Sequence, residues 1–88
     1  MRKRLNEFSI PELLQRRQMQ ELLHGQLVAL RESLDAREYD SAVYHNINGV
    51  RVMNALISNE LAIEDEVEML ETLRENVGGI LRLQHRLQ

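Results

Sequence analysis

The sequence predicts an all-α protein, an antiparallel helical hairpin or three-helix bundle completed by dimerisation or by a partner protein, and three observations carry that expectation. Apolar residues make up 43% of the 88-residue chain, yet only Phe8, Tyr39 and Tyr44 are aromatic. The core is therefore leucine-rich, a composition that suits helices better than sheets. One proline and four glycines fall short of the turn density of an all-β domain, while the apolar content is too high for a disordered chain. Finally, the apolar residues recur at spacings of three and four over long stretches.

The first helix is announced by its cap. Ser9, with Pro11 in the first turn and Glu12 three residues on, forms a capping box, and Phe8 and Leu13 are placed to form a hydrophobic staple. Leu23, Leu27, Leu30 and Leu34 then alternate by four and three, with Leu13, Leu14, Met19 and Leu22 upstream. Adjacent apolar pairs such as Leu22-Leu23 and Leu27-Val28 make this stripe wider than one neighbouring helix covers. The helix is expected over about residues 10–36.

Asp40 or Ser41 can cap a second helix, over about 42–58. Asn48-Gly49 between apolar runs is also a hairpin signal. The spacing of Val43, Ile47, Val50, Ile57 and Leu61 keeps one helical face and favours helix. A third helix, over about 60–86, follows from Ile63, Val67, Leu70, Leu73, Val77, Ile80 and Leu87. No proline or glycine lies between Leu56 and Glu75, so the last two helices are either separate or continuous. Gly78-Gly79 implies a bend, a stop, or a close neighbour that needs small residues. The whole chain reads as one domain, with residues 1–8 a basic N-terminus for which disorder is one expectation.

A domain of this size buries only about 60 to 65% of its unfolded surface. There is no cysteine, which excludes disulfides and thiol chemistry. Signal-peptide and membrane-spanning patterns are absent, so the expected location is cytoplasmic. The net charge of −3 is uneven. Glu60, Glu64, Glu68 and Glu71 mark an acidic face near the start of the third helix, whereas Arg2, Lys3, Arg4, Arg16 and Arg17 lie early in the chain. The basic residues are not interleaved with stacking aromatics, so nucleic acid is not an expected partner.

No constellation suits catalysis. Glu21 and His24 have the Glu-x-x-His spacing of helical metal sites, but a second such pair is lacking, so no metal or cofactor is expected. His45, Ile47, Asn48 and Gly49 resemble the His-x-hydrophobic-Lys-Gly pattern of histidine phosphotransfer domains, with Asn48 standing where that family has lysine. The resemblance implies His45 as phosphoacceptor and Gly49 as the residue that leaves its imidazole uncovered.

The sequence thus points to a non-enzymatic protein-interaction module, such as an adaptor, an assembly or secretion chaperone, or an inhibitor of a larger protein. Its partner is expected to be a protein or a second copy, with no membrane and no small-molecule substrate. Leu22, Leu27, Leu30, Val50 and Ile57 are the expected apolar contacts. The alternatives are a phosphotransfer protein using His45 and a structural unit that assembles only with itself.

Overall fold

The computed structural model describes residues 2–87, without the Leu87 side chain, so Met1 and the last member of the expected stripe lie outside the described residues and side chains. A 3-10 turn at Leu5–Glu7 precedes three helices, α1 (Ile10–Asp35), α2 (Tyr39–Ser58) and α3 (Glu64–Leu87). Among the described residues there is no strand, and Asn48-Gly49 lies inside α2. The helices run up, down and up. Ser33 meets Ser41 at one end of the α1–α2 pair and Gln26 meets His45 further along. Asp40 meets Gln84, and Asn46 meets Leu73, across the α2–α3 pair.

The start of α1 is the expected capping box. The Ser9 N–H donates to Glu12 Oε1 at 2.8 Å and the Glu12 N–H to Ser9 Oγ at 3.3 Å. Two donors that a helix start leaves without partners are thereby satisfied. Phe8 does not staple Leu13, however. It is buried in the main core, while Leu13 stays exposed. Residues 2–8 are consequently folded against the bundle, with Arg2 reaching Glu64 at 4.0 Å.

Both interhelical breaks use the same device. Arg37 and Glu60 take the left-handed conformation, with φ of 59° and 58°. After α1, the Arg37 N–H donates to the Leu34 carbonyl and the Glu38 N–H to that of Ser33. After α2, the Glu60 N–H donates to Ile57 and the Leu61 N–H to Leu56. These are the paired bonds of the Schellman ending, usually made around a glycine. The second is reinforced because Leu56 and Leu61 are both buried in one core cluster. Thus α2 begins at Tyr39, before the expected Asp40 or Ser41 cap, and α2 and α3 are separate helices.

The central helix buries Ala42, Asn46, Gly49, Met53 and Leu56. This line is rotated by about one residue from the expected face. Val43, Val50 and Ile57 are flanks, and Ile47 is exposed. Small residues occupy the line because α1 and α3 converge over it: a Cβ on Gly49 would lie 3.8 Å from both Leu23 and Leu73. The main core joins Phe8 and Leu23 to Met53, Leu56, Leu61, Leu70 and Leu73, and a smaller cluster holds Leu30, Ala42 and Ile80. The helix α3 continues through Gly78-Gly79, at a cost of about 1 kcal/mol per glycine relative to alanine.

Candidate protein-interaction surface

An α-helix flanked on one side leaves its other side to solvent, and on α1 that outer side mixes charged and polar residues, among them Arg17, Glu21, His24 and Glu32, with large apolar ones. Ile10, Leu14, Leu22 and Val28 lie within about a third of the helix circumference, whereas Leu13 projects from the side opposite Leu22. Leu14 is 58% and Leu22 63% exposed. Scattered exposed leucines are ordinary, but a set of large apolar side chains along one helix is the form that a helix-binding surface takes.

Of the five apolar contacts expected from the sequence, only Leu22 is on this surface. Leu30 is 7% exposed and belongs to a core cluster, and Leu27, Val50 and Ile57 pack against the buried core from its edges. Periodicity identified an apolar stripe without separating the part closed by α2 and α3 from the part left outside. Leu14 and Val28 were the outward members missed; the adjacent Leu13-Leu14 and Leu27-Val28 pairs were the signal for them. Glu60, Glu64, Glu68 and Glu71 are all exposed, Glu71 forming a 3.3 Å ion pair with Arg74.

A charged pair inside the molecule fixes how α1 is presented. Arg16 is 3% and Glu66 8% exposed. The guanidinium meets the carboxylate through two bonds, Nη1 to Oε1 at 2.6 Å and Nη2 to Oε2 at 3.0 Å, and also donates to the Leu61 carbonyl. Gln20 Nε2 donates to Glu66 Oε2 at 3.0 Å, and the Ile63 N–H donates to Oε1 at 2.9 Å. The Phe8 ring lies 5.4 Å from the Arg16 guanidinium carbon. Burial pushes the Glu66 carboxyl up. The hydrogen bonds from Arg16, Ile63 and Gln20, with the Arg16 charge, outweigh burial and hold it below the ordinary value of 4.5. This hub ties α1 to the first turn of α3 and the loop before it, so the outer face of α1 points away from the bundle.

At the centre of the molecule Asn46 is fully buried. Its Nδ2 donates to the Leu73 carbonyl at 2.7 Å, while its Oδ1 has no protein partner. Asn46 floors a groove of about 430 Å³ between α1 and α3, walled by Leu30, Leu34, Ile80 and Leu83. His45, the residue the phosphotransfer resemblance singles out, is half-buried, with Nδ1 2.8 Å from Gln26 Oε1. Asn48 donates to the same Gln26 oxygen at 3.5 Å. Gly49 is buried against Leu23 and Leu73 rather than opening a path to the imidazole.

Glu21 and His24 are both exposed, and Glu21 pairs with Arg17 at 3.5 Å. Among the described residues no three His, Asp or Glu side chains gather as metal ligands, and no helix is long and apolar enough to cross a membrane. No protein-family model, curated protein or solved structure matches this chain.

Proposed function

We propose that this chain is a small non-enzymatic protein-interaction module, of the adaptor, assembly-chaperone or inhibitor kind, and that it binds its partner with the outer face of α1. The observation that carries the reading is the exposure of Ile10, Leu14 and Leu22 on one side of a helix that is capped at its start and pinned by the buried Arg16–Glu66 pair. Rigid presentation matters, because a surface held in its binding geometry loses little conformational entropy on association. The acidic positions on α3 would serve as a flank that steers a basic partner rather than as the source of affinity. His45 has less to support it as a phosphoacceptor, since its ring is half-buried and held by Gln26.

The test is affinity capture from the host lysate with the wild-type chain and with a Leu14→Glu/Leu22→Glu variant of unchanged helicity. The expected result is a stoichiometric partner with the wild type and its loss with the variant. Capture that survives both substitutions would place the contact elsewhere and overturn the reading.

A further inference from the structure

The helix α3 keeps two glycines that nothing inside the chain requires to be small. A Cβ built on Gly78 or Gly79 would come near only the mobile guanidinium of Arg82, at 3.6 and 4.0 Å. The charges around the glycines are ordered. Glu71 and Glu75 precede them, Arg82 and Arg86 follow, and all four are exposed at helical spacings that place them on one side of α3. Glu75 and Arg82 lie at equal distances from the Gly78-Gly79 midpoint, as do Glu71 and Arg86.

A face with this symmetry is complementary to itself. When a second α3 is laid antiparallel with the two midpoints opposed, each Arg82 meets Glu75 of the other copy and each Arg86 meets Glu71, so every pair forms twice. The glycines let the backbones approach where the helices cross, and the exposed Leu81 and Leu83 flank that crossing. A contact that brings the same surface of both subunits together closes as a twofold dimer.

We propose that the face of α3 centred on Gly78-Gly79, which borders the α1–α3 groove through Glu75, Gly79 and Arg82, is a self-association surface whose occupant is α3 of a second copy. The pairing does not rest on the partner-binding role of α1, which lies on a different helix. Exposed ion pairs are individually weak and are screened by salt. The dimer is therefore a low-affinity one, formed best at low ionic strength.

Sedimentation equilibrium of the full chain tests this, at about 50 and about 500 mM NaCl, ionic strengths that span weak and strong screening. The wild type is expected to dimerise at low salt and to lose about tenfold or more in affinity at high salt. Glu71→Arg/Glu75→Arg is expected to be monomeric, and adding Arg82→Glu and Arg86→Glu to it to restore the dimer, because the exchanged charges match again. Gly79→Leu, which favours helix while blocking close approach, is expected to be monomeric with unchanged circular dichroism. The Leu14→Glu/Leu22→Glu variant is expected to dimerise as the wild type does, which separates this surface from that on α1. A monomeric wild type at low salt would overturn the proposal. So would a dimer that persists in the double reversal or in Gly79→Leu, or a quadruple exchange that keeps its helicity without restoring the dimer.

Discussion

Arg16 stands seven residues before Leu23 and fourteen before Leu30, and all three are buried on the inner side of α1. Glu66 likewise precedes Leu70 and Leu73 on the inner side of α3. A charge at a stripe position in each of two helices, opposite in sign, was the signal for the hub, but the surrounding run of acidic residues made Glu66 look like one more solvated carboxylate. Breaking a buried pair leaves an uncompensated charge, whereas removing both members does not. Arg16→Met is therefore expected to lower unfolding free energy by about 3 kcal/mol or more, and Arg16→Met/Glu66→Leu to recover most of that loss. Urea denaturation of these two variants and of Glu66→Leu alone decides the point. A double variant as unstable as the sum of the two single changes would show that the two side chains act independently.

At the scale of the elements, the all-helical class was legible from the three-and-four apolar spacing, and the start of α1 because Ser9, Pro11 and Glu12 occupy the positions that helix initiation demands. The break between α2 and α3 was not, because the residue that reverses the chain is Glu60 where a glycine would have announced it. A side chain in the left-handed conformation costs roughly 1–2 kcal/mol, which glycine avoids at the expense of some entropy in the unfolded chain. Glu60→Gly is expected to raise unfolding free energy by about 0.5–1 kcal/mol, measured as a higher urea midpoint at unchanged slope. A lower midpoint would mean that the Glu60 side chain supports the turn in a way its geometry does not suggest. The face of α2 was misplaced for a related reason. Its buried line contains Ala42, Asn46 and Gly49, which a search for large apolar residues passes over in favour of the neighbouring Val43, Ile47 and Val50.

At the scale of the whole molecule, both ends of α1 depend on carboxylates in their charged form, Glu12 in the capping box and Glu66 in the hub. Backbone and side-chain hydrogen bonds with Ser9, together with the Lys3 charge, hold Glu12 below its ordinary value despite some desolvation. Glu66 is lowered as well, its bonds outweighing burial. A carboxyl whose value is lowered by folding contributes stability that is fully present above the ordinary value of 4.5 and is lost as pH falls through the lowered one. Unfolding free energy is thus expected to be flat around neutrality and to decline with acid below that value. Glu66→Gln is expected to be less stable near neutrality and to show a shallower decline. An equal acid slope in the variant would contradict a charged Glu66 in the folded state.

The bundle presents Ile10, Leu14, Leu22 and Val28 outward on α1, and the central claim is that this side binds a protein. The most direct measurement is a leucine-methyl NMR titration of the chain with the partner recovered by affinity capture. The account predicts that the methyls of Leu14 and Leu22 shift and broaden while those of the buried Leu56 and Leu61 remain largely unchanged. Perturbation confined to Leu81 and Leu83 on α3, with the α1 methyls unmoved, would contradict it.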